Sequence, residues 1–261
     1  MSRQVPWRII SWNLRYDRGQ DKANSIADRL PLIRQVIAEE QADVIGFQEV
    51  LPHTLEVLEE TFPEYLFIGR PRDPEMEDEI CCAAIRMASV RVLDGSTVWL
   101  SPEPEVPGTR YPGQSICPRT RARFLLQHRE SREVIWYINT HFDHESDEAR
   151  RSAQQQLITE MAELRKNPQT GRVIWGGDLN YTPSDALYTE LLDAGFADLS
   201  AASGGTFHDF GKQDPAEKID YIFGYADQWE LIGEARSLTF REGDTWLSDH
   251  YPVAAEVRSL I

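Results

Sequence analysis

The chain has 261 residues, of which 41% are hydrophobic and 10% aromatic, so it contains enough apolar material for a substantial core. Its 43 Asp and Glu residues outnumber its 27 Lys and Arg residues, and the formal net charge of -16 argues against tight binding to duplex DNA or acidic membrane surfaces. An anionic substrate therefore needs local compensation, from metal ions or from a few well-placed arginines.

Ten short segments are predicted to be strands. They are of strand length, rich in Val, Ile, Phe, Tyr and Trp, and bounded by turn residues. In chain order they are residues 7–14, 42–50, 65–69, 79–85, 90–100, 121–128, 133–141, 172–177, 218–225 and 251–257.

Helical patterns lie between some of these strands. Residues 25–41 carry an apolar stripe and open with Ser25, followed three residues later by Asp28, which is a variant of the capping box. A second apolar stripe predicts a helix over residues 147–166. Shorter helices are predicted over residues 52–62 and 184–195.

The order of these elements predicts the architecture. Many consecutive strands with few helices favour two packed sheets flanked by helices over a regular alternation of strand and helix. Residues 70–79 and 101–118, the second with five prolines, are predicted to be long surface loops, and such loops are commonly functional.

We expect one domain over residues 1–261, a cytoplasmic location and no membrane span. No apolar run reaches 18 residues, and the N-terminal segment lacks the apolar core of a signal peptide. Cys81 and Cys82 are adjacent and Cys117 is distant, so the cysteines have neither CxxC nor zinc-ligand spacing. We interpret them as reduced and structural.

Polar residues able to bind metal or phosphate occur where predicted strands end. Strand periodicity places His141 and Asp143 on one face, and it does the same for Asp178 and Asn180 if the extended conformation continues past the glycines. If these strand ends meet at one rim, they form an acidic cluster with two or more imidazoles. The set is Asn13, Glu49, His141, Asp143, Asp178, Asn180, Asp220, Asp249 and His250.

Each of these residues also has a simpler structural interpretation. Asp178 follows two glycines in the stretch GGDLN, which is typical of a turn. A single Asn, Glu or His at a strand end is usually solvated or packed. Asp220 differs, because it interrupts the apolar run KIDYIF and a half-buried carboxylate needs a partner. His250 is a suitable partner, since a carboxylate bonded to imidazole stabilises the cation.

The ordered set of motifs WN, QE, NTH, GDLN, IDYIF and SDH resembles the endonuclease/exonuclease/phosphatase superfamily, which includes DNase I. The resemblance runs from SWN near residue 11 to SDHYPV near residue 248 and so covers nearly the whole chain. Within the superfamily the chain is most similar to a group of bacterial proteins marked by NLRYD, NTHFDH and GTFHDF.

The resemblance implies a fold, a cofactor and a set of roles. The implied fold is a four-layer α/β sandwich with two mixed sheets flanked by helices, and the implied activity is a phosphoesterase that uses Mg²⁺ or Mn²⁺. Glu49 would be the main metal ligand, helped by Asn13 and Asp249. Among the catalytic residues, Asp178 would activate water, Asn180, His141 and His250 would bond phosphate oxygens, and Asp220 would orient His250.

These motifs indicate the type of reaction, but they do not separate phosphodiester from phosphomonoester substrates. The residues expected to bind it are Arg119, Asp143 and His208, although Ala122 stands where the similar bacterial proteins are expected to have threonine. The leading hypothesis is hydrolysis of a phosphodiester in a small or single-stranded nucleotide-type substrate. The alternatives are a phosphomonoesterase acting on a sugar or inositol phosphate, and a non-catalytic binding module on the same fold.

Overall fold

Strands provide the two central layers of the fold. The structure is a computed structural model that describes residues 5–260. Its strands, numbered in chain order, are β1 (Trp7–Asn13), β2 (Val44–Val50), β3 (Tyr65–Ile68), β4 (Ile80–Arg86), β5 (Val90–Trp99), β6 (Thr120–His128), β7 (Val134–His141), β8 (Val173–Asp178), β9 (Phe196–Asp198), β10 (Asp220–Tyr225), β11 (Trp229–Leu231), β12 (Arg236–Ser237), β13 (Arg241–Glu242), β14 (Thr245–Trp246) and β15 (Val253–Ser259).

The strands form two mixed sheets with one parallel pair each. The first sheet has the order β11-β15-β1-β2-β4-β3, with β12 also paired to β15, and its parallel pair is β1 with β2. The second has the order β5-β6-β7-β8-β10-β9, and its parallel pair is β7 with β8. Strands β13 and β14 form a separate hairpin. Each parallel pair lies near the middle of its sheet.

Four helices cover the outer faces of the sheets. The first two begin where the sequence predicts, and the Ser25 side chain caps the first by accepting from the N–H of Asp28. Ser146 caps the third helix in the same way. All four predicted helices are confirmed to within two residues at each end. They are α1 (Ile26–Glu40), α2 (Pro52–Thr61), α3 (Asp147–Arg165) and α4 (Ala186–Asp193).

Three hydrophobic clusters separate four layers. One cluster joins α1 and α2 to the first sheet, a second lies between the two sheets, and a third joins the second sheet to α3 and α4. Within β1, for example, Ile9 faces the middle cluster and Ile10 faces the helices, as the two-residue strand period requires. The predicted four-layer sandwich with two mixed sheets is therefore confirmed.

The sequence patterns missed the shortest strands. Strands β9 and β11 to β14 have only two or three residues, which is too short for a periodic signal. The two long loops were predicted correctly, since residues 70–79 lie between β3 and β4 and residues 101–118 lie between β5 and β6. Among the described helices, none is both long and apolar enough to cross a membrane.

A buried polar contact joins the two sheets beneath their strand ends. The Asn139 amide donates to the backbone carbonyls of Phe47, at 2.8 Å, and Cys82, at 2.9 Å. Its Oδ1 accepts from Gln48 at 2.7 Å. Because Asn139 belongs to the second sheet and its partners to the first, these bonds set how the sheets align.

We predict that Asn139→Ala lowers the free energy of unfolding by about 3 kcal/mol, because it removes three buried hydrogen bonds between the sheets. Urea denaturation would measure the change. As a control, Gln155→Ala on the exposed face of α3 should change it by less than about 0.5 kcal/mol. Equal stability of the two variants would contradict the assigned role of Asn139.

Candidate active site

Strand register brings three predicted site residues into one row. His141 at the end of β7 pairs with Asp178 at the end of β8, and Asp178 pairs in turn with Asp220 at the start of β10. Directly paired residues on neighbouring strands have adjacent side chains. The second sheet therefore presents an imidazole and two carboxylates side by side at one edge.

The first sheet contributes Asn13 and Glu49 to the same edge. Strand β2 is irregular between Phe47 and Val50, where its register with β4 shifts, and Glu49 within this bulge has a φ of 61°. A left-handed conformation is uncommon for a residue other than glycine. The bulge turns the Glu49 side chain toward a cleft at this edge of the sheets, which Glu49 lines together with His141 and Asp178.

Asn13 connects the two sheets at this edge. Its Nδ2 donates to Glu49 Oε1 at 2.9 Å and to Asp178 Oδ2 at 3.0 Å. Its Oδ1 accepts from the N–H of Arg15 at 3.0 Å, and Glu49 Oε2 accepts from the N–H of Tyr16 at 3.0 Å. The loop after β1 therefore orients both the amide and the carboxylate.

Asp178 has one oxygen in a turn and the other at the site. Oδ1 accepts from the N–H of Asn180 at 3.0 Å, which is a turn of the kind expected for GGDLN. Oδ2 lies 3.6 Å from Nε2 of His141 and 3.9 Å from Nε2 of His250. The extended conformation ends at Asp178, since Asn180 has a φ of 52°. The condition under which strand periodicity would align these two residues is therefore not met, although both line the cleft.

Asp220 and His250 form a buried pair behind Asp178. Nδ1 of His250 donates to Asp220 Oδ2 at 2.8 Å, and both side chains are almost fully enclosed. Burial alone lowers the pKa of His250, but the charge of Asp220 and the hydrogen bond to it raise that pKa to about 10. His250 is therefore a cation at neutral pH, and Asp220 has the partner that its sequence context requires.

His141 differs from His250 in charge. Burial lowers the pKa of His141 well below its ordinary value, and the positive charge of Arg119 lowers it further. Asp178 therefore lies between one neutral and one cationic imidazole. Burial and the charge of Asp220 raise the pKa of Asp178 to about 7.

The donors around Glu49 fit a hard divalent cation. Glu49, Asn13 and Asp249 offer oxygen atoms, which Mg²⁺ and Mn²⁺ prefer. Burial raises the pKa of Asp249 and that of Glu79, the latter to about 7, and the charge of Glu49 raises both further. Mutual repulsion of this kind is relieved when a cation binds among the carboxylates.

A second group of possible ligands fits a metal less well. Single ligand atoms of Asp178, Asp220 and His250 lie within 4.8 Å of one another. However, Nδ1 of His250 is already bonded to Asp220, and Mg²⁺ favours oxygen over imidazole nitrogen. This group is better suited to holding charge and protons.

Two residues predicted to bind substrate, Asp143 and His208, lie outside the cleft. Strand β7 ends at His141, so Asp143 does not share its face, and the Asp143 carboxylate accepts from Ser115 and from the N–H of Ser146. The His208 ring stacks on Tyr251 with centroids 4.0 Å apart, and its Nδ1 accepts from the N–H of Gly211. Neighbouring loops therefore hold the Asp143 carboxylate and Nδ1 of His208, whereas Nε2 of His208 is buried without a partner among the described residues. The substrate-binding roles of both residues stay predictions.

The cleft has a volume of about 930 Å³ and includes residues that the sequence patterns did not single out. Arg15 lies 3.1 Å from Asp21 and 3.4 Å from Asp249. Arg72 forms ion pairs with Asp78 and Glu79 in the loop after β3. Two sequence features could have pointed to these residues: the NLRYD motif contains Arg15, and the acidic run PRDPEMEDE contains Arg72 and Glu79. The predicted residue Arg119 also lines the cleft, while Asn13 and Asp220 lie buried behind its wall.

Comparison with solved structures supports the fold. An endonuclease/exonuclease/phosphatase from Bacteroides vulgatus is 27% identical, with a TM-score of 0.90 over 98% of this chain and 100% of that chain. A mannosyl-6-phosphatase from Bacteroides thetaiotaomicron is 25% identical, with a TM-score of 0.88 over 96% of this chain and 99% of that chain. TDP2 from D. rerio, complexed with single strand DNA product, shares the fold at 19% identity, with a TM-score of 0.73 over 97% of this chain and 99% of that chain.

Sequence comparison identifies the family. No match among curated proteins reaches significance. The family model described as Endonuclease/Exonuclease/phosphatase family matches residues 10–250, a span that contains all the site residues described above. The chain therefore belongs to the endonuclease/exonuclease/phosphatase family.

Proposed function

We propose that this protein is a divalent-metal-dependent phosphoesterase that hydrolyses a small phosphate ester with Mg²⁺ or Mn²⁺. The observation that carries the proposal is the position of Asp178, which is bonded to Asn13 beside Glu49 and flanked by His141 and His250. Retention of this complete set favours an enzyme over a non-catalytic binding module.

The metal would be held by Glu49, Asn13 and Asp249. When bound, the cation supplies electrostatic stabilisation of the charge that builds on the phosphoryl oxygens during displacement. The Glu49 carboxylate already has both oxygens positioned by hydrogen bonds from Asn13 and Tyr16. A preorganised ligand of this kind binds without further ordering cost.

Asp178 is placed to accept a proton from the attacking water through Oδ2. Its pKa of about 7 suits a general base near neutral pH. His250 carries its proton on Nε2 toward the cleft, because Nδ1 is bonded to Asp220, and it donates to a phosphate oxygen. Asn180 uses Nδ2 to bond the carbonyl of Phe142 and keeps a second N–H for the phosphate.

Two finer functions remain candidates, as predicted from the sequence. A phosphodiester carries less negative charge and is favoured by the acidic cleft. A phosphomonoester of a sugar is favoured by the 25% identical mannosyl-6-phosphatase and by the cleft lining. Two aromatic side chains of the cleft, Phe207 and Tyr16, already pack against other residues of this chain. The ring of Phe207 contacts that of His250, and the guanidinium of Arg15 lies over the ring of Tyr16. This arrangement favours a small polar leaving group over a stacked base.

We predict that Glu49→Ala and Asp178→Asn each lower kcat/KM by about 1,000-fold or more, because they remove the metal ligand and the base. Hydrolysis of a nitrophenyl phosphomonoester and a nitrophenyl phosphodiester with Mg²⁺ or Mn²⁺ would measure this. The exposed loop variant Glu75→Ala should retain full activity. Unchanged activity in both site variants would show that the chemistry occurs elsewhere.

Metal binding can be tested without measuring activity, because a bound cation stabilises the folded protein. Mn²⁺ at about 100 times its dissociation constant stabilises the wild type by about 2.7 kcal/mol and raises its melting temperature by about 5 °C or more. Glu49→Gln should lose this increase. With chelator the variant should melt no lower than the wild type, because the Glu49 charge repels Asp249 and Glu79. An equal Mn²⁺ response in both proteins would refute the assigned ligand.

The charge of His250 depends on Asp220. In metal-free protein we expect Asp220→Asn to lower the pKa of His250 clearly below its value of about 10, because burial persists and the largest compensating charge is removed, while the smaller contributions of Asp249 and Asp178 remain. NMR titration of labelled histidine would measure it, with the exposed Asp244→Asn as the control. A pKa that stays near 10 in the variant would rule out Asp220 as the stabilising charge.

A further inference from the structure

Arg119 is a buried guanidinium at the cleft without a carboxylate partner among the described residues. It directly precedes β6, lines the cleft and is 4% exposed. Its Nη2 donates to Nδ1 of His144 at 3.0 Å, while Nε and Nη1 are buried without a protein partner. Burying an arginine in this state costs free energy that an anionic ligand would recover.

The other arginines of the cleft are neutralised by their own loops. Arg15 pairs with Asp21 and Asp249, Arg18 with Asp78, and Arg72 with Asp78 and Glu79. In the part of the cleft that the structure describes, Arg119 is therefore the arginine whose charge is left for a ligand.

The carboxylates nearest to Arg119 are already engaged. Burial raises the pKa of Glu79 to about 7, and the charge of Arg119 opposes that rise; the same charge helps to lower the pKa of Asp143. Both carboxylates therefore lie within electrostatic reach of Arg119. However, Glu79 accepts both its hydrogen bonds from Arg72, and Asp143 accepts from Ser115 and backbone N–H groups. Neither carboxylate satisfies the free donors of Arg119.

The position of Arg119 relates it to the reacting phosphate. Its charge lowers the pKa of His141, and His141 lies 3.6 Å from Asp178. Moving along the cleft, the order is His250, Asp178, His141 and then Arg119. A phosphoryl group bound at Asp178 thus has the cation of His250 on one side and that of Arg119 beyond the neutral imidazole.

We propose that Arg119 determines specificity for phosphomonoesters by binding the additional negative charge of the dianion. This inference rests on the proposed function. A monoester has three non-bridging oxygens and two charges, whereas a diester has an organic group in place of the third oxygen. The unpartnered Nε and Nη1 lie on different edges of the guanidinium plane, and each forms with Nη2 a planar fork of the kind that binds phosphate oxygens in pairs. Nη2 uses one N–H for His144 and keeps a second for such a fork. A diester presents neither the charge nor the acceptor to this fork.

The test compares para-nitrophenyl phosphate with bis(para-nitrophenyl) phosphate in wild type, Arg119→Met and Arg119→Lys. We expect Arg119→Met to lower kcat/KM for the monoester by about 100-fold, the value of two charge-assisted hydrogen bonds, and to change the diester by less than about threefold. Arg119→Lys should restore part of the monoester activity, because it keeps the charge and loses the fork. Retained diester hydrolysis shows that the variant is folded.

Arg123→Met is the matched control, since Arg123 also lies on β6 but pairs with Glu160 away from the cleft. It should leave both activities unchanged. An equal loss for the two substrates in Arg119→Met, a loss for the diester alone, or no loss at all would overturn the proposal.

A titration with inorganic phosphate separates this proposal from the proposed function. With Mg²⁺ at about pH 8, where phosphate is mainly dianionic, we expect Arg119→Met to bind at least about tenfold more weakly than wild type by calorimetry. Phosphate binding that requires Arg119, in a protein that hydrolyses neither ester, would support the subsite and contradict the phosphoesterase. Equal phosphate affinity in the two proteins would overturn the subsite whatever the activity.

Discussion

The hydrogen bonds of the Asn13 amide are the interaction on which the site depends. Asn13 ends a strand of the first sheet, and its Nδ2 donates both to Glu49 of that sheet and to Asp178 of the other. One buried amide therefore sets the distance between Glu49, the proposed metal ligand, and Asp178, the proposed general base. Because Asn139 aligns the same two sheets beneath it, core packing and site geometry are not independent.

Excess negative charge is the second constraint, and it explains how an acidic protein can bind an anion. Glu49, Asp249 and Asp178 crowd one cleft, and burial raises the pKa values of the two aspartates. Most cleft arginines are used to hold acidic loops rather than to attract ligand. In the proposed function, compensation for a bound phosphate is therefore local: a cation at Glu49, the protonated His250 and the guanidinium of Arg119, which has no ion-pair partner among the described residues. Long-range attraction contributes nothing to this arrangement, since the formal net charge is -16.

Local rules predicted the strands and helices well because burial on both faces of the sheets makes the strands nearly continuous apolar runs, and because side-chain caps mark the starts of α1 and α3. They failed where tertiary contacts decide. The left-handed φ of Glu49 arises from a bulge that leaves no mark in the sequence. Asp143 was expected to share a strand face with His141, yet β7 ends at His141 and the Asp143 carboxylate accepts from Ser115 of the loop before β6. Likewise, the unpaired state of Arg119 depends on which carboxylates Arg15 and Arg72 take, and no spacing in the sequence encodes that pairing.

The stretch GGDLN shows why a turn and an active site need not be alternatives. A side chain at Gly177 would place its Cβ 2.3 Å from the carbonyl of Thr140, so glycine permits the close approach of β7 and β8. Asn180 adopts a positive φ, and its N–H holds Oδ1 of Asp178. That turn bond fixes the carboxylate so that Oδ2 points at the two imidazoles. The same turn that GGDLN predicts thus orients the oxygen proposed to act as the base, so the turn interpretation and the catalytic interpretation of Asp178 are compatible.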